Sequence, residues 1–124
     1  MSKETILVVE DEAIEGIEIQ ETLQKKGYIV PPVIASGDEV LKTVMRYKPH
    51  LIIMDIRLKS FIDGIDAAQR LRLLGQTPII FVTAYPTKEI KERAMKTNPA
   101  AYLVKPVREE ELISHVEKAL KKAG

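Results

Sequence analysis

Apolar residues in this chain fall in short unbroken runs, and four of those runs end in a polar side chain able to do chemistry. Ile6-Leu7-Val8-Val9 leads into Glu10-Asp11, Leu51-Ile52-Ile53-Met54 into Asp55, Ile79-Ile80-Phe81-Val82 into Thr83, and Tyr102-Leu103-Val104 into Lys105-Pro106. Continuous runs of this length read as strands covered on both faces, the mark of a parallel sheet. Between them, apolar positions recur at helical spacing. The pattern predicts strands at Thr5–Val9, Tyr28–Val33, Leu51–Asp55, Ile79–Thr83 and Ala101–Val104. Helices are predicted at Glu12–Lys26, Asp38–Tyr47, Asp63–Leu74, Lys88–Lys96 and Glu109–Lys121.

The helices differ in quality. Leu112, Ile113, Val116, Ala119 and Leu120 make one clean stripe, as do Val40, Leu41, Val44 and Met45. In the first helix Ile14 and Ile17 face away from Ile19 and Leu23. The fourth has only Ile90, Ala94 and Met95 among charged residues, so it is expected to be the least firmly packed. Punctuation agrees with the alternation: Gly27 suits a C-cap, Ser36 with Glu39 suits a capping box before the second helix, and Asp63 suits the N-cap of the third. Pro31-Pro32 cannot donate to a sheet ladder, which places the second strand at an edge. The expected architecture is a five-stranded parallel α/β sheet, doubly wound, in the order 2-1-3-4-5, with its switch point between strands 1 and 3.

Composition narrows the class. A chain of 124 residues suits one domain over 1–124. The net charge of +1 makes no electrostatic case for nucleic acid or a membrane surface. Cysteine is absent, which removes disulfides and thiolate metal sites. No signal-peptide stretch and no membrane-length apolar run is present, so a soluble cytoplasmic protein is expected.

In an open parallel sheet the functional crevice lies beyond the carboxyl ends of the strands. Glu10, Asp11, Asp55, Thr83 and Lys105 are all predicted there. Carboxylates gathered at one rim repel one another unless a cation joins them. With only oxygen ligands, that cation is a hard one, Mg²⁺ or Mn²⁺. Lys105 and Thr83 would then meet phosphoryl oxygens, which suits phosphoryl transfer. Plainer readings stand beside these. Either Glu10 or Asp11 could cap the first helix, Thr83 could be an ordinary strand residue, and Tyr102 could be core packing. His50 precedes a strand and His115 sits in the last helix, so neither is placed at the rim. Arg57 and Tyr85 flank the site and would bear on the access of water.

Five pieces together, Ile6 to Glu12, Leu51 to Asp55, Asp63-Gly64, Val82-Thr83-Ala84 and Val104-Lys105-Pro106, make the whole chain resemble the receiver domain of a two-component response regulator, whose fold is flavodoxin-like. The resemblance implies a phosphoprotein of phosphorelay signal transduction. Asp55 would accept a phosphoryl group from a histidine kinase or phosphotransfer protein. Glu10, Asp11, Asp55 and the backbone carbonyl of Arg57 would hold the metal. Thr83 and Lys105 would bind phosphoryl oxygens, Thr83 and Tyr102 would act as the switch, and Lys105-Pro106 would be a cis peptide. One feature departs from the family pattern: the loop Ile56-Arg57-Leu58-Lys59-Ser60-Phe61-Ile62 has no proline and one residue more before Asp63-Gly64.

The function expected from this is a phosphoryl-accepting switch, not an enzyme with a separate substrate. Its output surface would be the fourth helix, fifth strand and fifth helix, binding a downstream protein or a second copy, with no direct contact to nucleic acid or membrane. A metal-dependent phosphohydrolase and a protein-binding pseudo-receiver are the alternatives. Such hydrolases often carry a second Asp two residues after the nucleophile, where this chain has Arg57; a pseudo-receiver would lack a ligand, and none is missing.

Overall fold

The computed structural model describes residues 4–123. Four strands, β1 (Ile6–Val9), β2 (Leu51–Asp55), β3 (Ile79–Thr83) and β4 (Ala101–Val104), form one parallel sheet in the order β1-β2-β3-β4. Five α-helices connect and cover them: α1 (Ala13–Lys25), α2 (Val40–Tyr47), α3 (Gly64–Leu71), α4 (Lys88–Met95) and α5 (Glu109–Ala123).

The strand expected at Tyr28–Val33 is not formed, and the sheet has four strands where five were expected. The segment does run parallel along the outer edge of β1, touching it at two isolated bridges, Thr5 with Ile29 and Val9 with Ile34. At those points the ladder is intact. Ile6 N–H donates to the Ile29 carbonyl at 2.9 Å, and Glu10 N–H donates to the Ile34 carbonyl at 2.9 Å. Between them lie Pro31 and Pro32, which carry no N–H to donate, so the ladder lapses.

Because successive strand residues point to opposite faces, the sheet makes two cores. Leu7, Val9, Ile52, Met54, Ile79 and Phe81 pack under α2, α3 and α4. Ile6, Val8, Leu51, Ile53, Ile80, Val82 and Leu103 pack under α1 and α5. β1, β2 and β3 are buried along their whole length, whereas β4 is only partly covered.

Two helix starts differ from expectation. The Ser36 hydroxyl accepts from Asp38 N–H, but it caps a single 3₁₀ turn at Gly37–Glu39, and α2 begins only at Val40. Neither Glu10 nor Asp11 caps α1. Its N-cap is Glu12, whose side chain makes no capping bond. Asp63 does cap α3, in a full capping box with Asp66.

Candidate functional site

The carboxyl ends of β1, β2, β3 and β4 deliver Glu10-Asp11, Asp55, Thr83 and Lys105 to one rim, as the register of the parallel pairs requires. Carboxylate oxygens of Glu10, Asp11 and Asp55 all lie within 4.8 Å of one another. Glu10 and Asp55 are buried, and Asp11 is half-buried. Lys105 Nζ bridges two of them, donating to Glu10 Oε1 at 2.8 Å and to Asp55 Oδ2 at 2.8 Å. Its third contact is Glu15 Oε1 at 2.9 Å, from the first turn of α1.

The other carboxylate oxygens are aimed by the backbone. Glu12 N–H donates to Glu10 Oε2 at 3.2 Å, Arg57 N–H to Asp55 Oδ1 at 3.2 Å, and Lys59 N–H to Asp11 Oδ2 at 2.9 Å. Burial pushes the Glu10 carboxyl up to about 7, with the Asp55 charge adding to the rise and the Lys105 hydrogen bond opposing it. Burial alone would lower the Lys105 pKa; its hydrogen bonds to Asp55, Glu10 and Glu15 outweigh it and hold the ammonium above its ordinary value.

Close backbone approaches fix Asp55. Gly64 N–H donates to the Ile56 carbonyl at 2.8 Å. A Cβ on Gly64 would stand 2.2 Å from the Asp55 carbonyl oxygen, so only glycine lets α3 start against the end of β2. The loop without proline is also pinned. Ile56, Leu58 and Ile62 are buried, and the Ser60 hydroxyl accepts from Gly37 N–H at 3.1 Å and donates to the Ile62 carbonyl at 2.7 Å. Of the loop's apolar side chains only Phe61 points outward, 94% exposed.

Thr83 is fully buried; its hydroxyl accepts from Tyr85 N–H at 3.0 Å, and its carbonyl accepts from Lys105 N–H at 2.8 Å. The Lys105–Pro106 peptide is cis. The Arg57 guanidinium lies 4.5 Å from the centroid of the Tyr85 ring. Tyr102 stands apart from the rim. It pairs with Phe81, packs against the core under α4, and its hydroxyl is buried with no hydrogen-bond partner among the described residues. His50 accepts from Thr5 N–H at 3.0 Å at the opposite end of the sheet, and His115 lies on α5.

Glu15 was not singled out in the sequence. It lies in the first turn of α1, where nothing in the local sequence pattern ties it to Lys105. The Asp66 half of the capping box and the Lys59 and Ser60 contacts were missed as well.

The donor set fits a hard divalent cation. It is all oxygen, it converges within one ion's reach, and Lys105 already balances charge on two of its three members. Among the described residues no helix is long and apolar enough to cross a membrane.

Comparison with known proteins agrees with this geometry. The chain is 35% identical over 115 residues to the transcriptional regulatory protein PdtaR of Mycobacterium tuberculosis, covering 93% of this chain and 56% of that one. It is 33% identical over 117 residues to the positive alginate biosynthesis regulatory protein of Pseudomonas aeruginosa, covering 92% of this chain and 46% of that one. The chain therefore spans about half the length of these relatives. As they are named for regulation, they give no support to the expected absence of a nucleic-acid partner. Among solved structures, the signal receiver domain of a modulated diguanylate cyclase from Desulfovibrio desulfuricans superposes with a TM-score of 0.92 at 32% identity, covering 98% of this chain and 97% of that one. A CheY-like receiver domain from Methanospirillum hungatei shares the fold with a TM-score of 0.92, covering 98% and 97% of the two chains at 24% identity. The response regulator receiver domain family model matches residues 6–117, and the chain belongs to that family, the signalling switches of two-component systems.

Proposed function

We propose that residues 1–124 form one receiver unit that accepts a phosphoryl group on Asp55 from a partner's phosphohistidine and passes the signal on as a change of surface. The single observation that carries this reading is Asp55 Oδ2 held at 2.8 Å by Lys105 Nζ, with Glu10 and Asp11 beside it. An Asp55 oxygen attacks phosphorus as the bond to the donor imidazole nitrogen breaks. Lys105 presents its ammonium to the phosphoryl oxygens. Thr83, whose hydroxyl oxygen accepts from Tyr85, keeps its own proton to donate to the same group. Glu10, Asp11, Asp55 and the Arg57 carbonyl are the proposed ligands of Mg²⁺ or Mn²⁺, which when bound neutralises charge on the phosphoryl group. Water then attacks the aspartyl phosphate, releasing inorganic phosphate and restoring the Asp55 carboxylate, so the unit is a self-processing switch and not an enzyme acting on a separate substrate.

The switch reading rests on Tyr102 and α4. A buried hydroxyl without a partner is unfavourable where it lies. A Thr83 drawn inward gives the ring a reason to move. The proposed output surface is therefore α4, β4 and α5, taking a downstream protein or a second copy in the cytoplasm. No observation favours a phosphohydrolase: two residues past Asp55 stands Arg57, stacked on Tyr85.

Incubation with acetyl phosphate, followed by intact mass, tests the reading. A gain of one phosphate that needs Mg²⁺ and is absent from Asp55→Asn is expected. Undiminished labelling of Asp55→Asn overturns the assignment.

A further inference from the structure

An ammonium has three N–H donors, and all three of Lys105 are engaged, by Glu10, Asp55 and Glu15 at 2.8, 2.8 and 2.9 Å. The partners are not equivalent. Glu10 and Asp55 belong to the acidic cluster, and the oxygen of each that Lys105 does not touch already receives a backbone N–H. Lys105 thus holds one oxygen on each of two of the three clustered carboxylates. Glu15 belongs to a different element and is not in the cluster. Its side chain is 41% exposed, against 2% for Glu10 and 8% for Asp55.

A cation entering the cluster competes with the ammonium for the Glu10 and Asp55 carboxylates, so Lys105 gives up its hold on them. Left without a partner, Lys105 at 14% exposure would be a poorly solvated charge beside a second cation. Glu15 removes that penalty. Its carboxylate stands on the solvent side of the ammonium and is already in contact, so Lys105 can release two acceptors while keeping the third.

We propose that Glu15 is a positioning residue of this site: it holds the Lys105 ammonium at the edge of the acidic cluster when a divalent cation occupies it, and so strengthens metal binding. The inference rests on the metal reading above and adds a fourth carboxylate, from the first turn of α1, that never touches the metal.

Calorimetric titration with Mg²⁺ tests it, on four proteins: wild type, Glu15→Gln, Lys105→Ala and the double variant. Glu15→Gln keeps an oxygen acceptor and removes the charge, and its melting curve checks that it folds. Glu15→Gln is expected to weaken Mg²⁺ about fivefold, the fold-change that goes with the upper range of a partly exposed ion pair. In the Lys105→Ala background the same change is expected to cost clearly less, because no ammonium remains to be held. An equal or larger loss in that background means Glu15 acts only through its field on the ion, and overturns the proposal. So does an unchanged affinity in Glu15→Gln. Wild type that binds no Mg²⁺ instead overturns the metal reading itself, a separate outcome.

Discussion

α3 and α4 are both eight residues long and lie on the same face of the sheet, yet they are held very differently. α3 buries Gly64, Ile65, Ala67, Ala68 and Leu71; α4 buries only Ala94. α3 begins in a full capping box and presses its first glycine onto the Asp55 carbonyl. α4 begins with one hydroxyl contact, Thr87 Oγ1 accepting from Ile90 N–H at 3.2 Å. Its far end is better secured. Arg72, at the end of α3, donates to the Thr97 carbonyl at 2.8 Å, and the Thr97 hydroxyl donates to the Ala94 carbonyl at 2.7 Å. α4 is therefore hinged at its C-terminal end and loose at the end nearest Thr83. The contrast separates two tasks. The helix that frames the acceptor is fixed, and the helix that follows the threonine is free to respond.

Substitutions in the two helices test that contrast most strongly. Gly64→Ala must displace the backbone at Asp55 and is expected to cost at least about 3 kcal/mol. Ile65→Ala, a fully buried truncation, is expected to cost about 3 kcal/mol, whereas Ile90→Ala on α4 costs about 1 kcal/mol. Urea melts read all three. Equal losses at Ile65 and Ile90 would remove the distinction.

The rim gives a smaller, pH-dependent effect. Glu10 has a carboxyl raised from 4.5 to about 7, so the folded, metal-free protein holds a proton that the unfolded chain releases across that window. Stability from this group is present below the lower value and is lost as pH climbs toward the upper one. In chelator, Glu10→Gln is expected to flatten that decline and to stabilise the protein at pH 8 by about 2 kcal/mol. Melting curves at pH 5 and pH 8 decide it; an unchanged slope in Glu10→Gln counts against a buried, proton-holding carboxyl.

The smallest effect concerns the one ion pair linking the two helices, Arg93 to Asp66 at 3.5 Å, with both side chains half-exposed. Arg93→Ala is expected to change stability by less than about 0.5 kcal/mol. A larger loss would mean that α4 is tethered to α3 more firmly than its burial indicates.

The contrast was half legible in the sequence. The charged composition of residues 88–96 marked α4 as weakly anchored, and only Ala94 among them is buried. The four strands were legible because strands covered on both faces are continuous apolar runs. The segment 28–34 misled because its apolar content follows the strand pattern while Pro31 and Pro32 remove the donors a ladder needs. The rim side chains were legible because each lies at the carboxyl end of a strand or within two residues of it. What could not be read was contact made across the fold. The Glu15 pair with Lys105, the Lys59 amide on Asp11 and the Arg72 clamp on Thr97 join residues with no local pattern between them. The α2 start was misplaced because a Ser with a Glu three residues on also suits a single 3₁₀ turn.

Hydrogen exchange with and without beryllofluoride and Mg²⁺ tests most directly whether the acceptor's frame stays fixed while α4 responds. Protection is expected to change across residues 84–91 and at Tyr102, most at the loose end of α4, and to stay constant across residues 64–71. The same change is expected to vanish in Thr83→Ala. Changes confined to the rim loops, or shared equally by α3 and α4, would contradict the account.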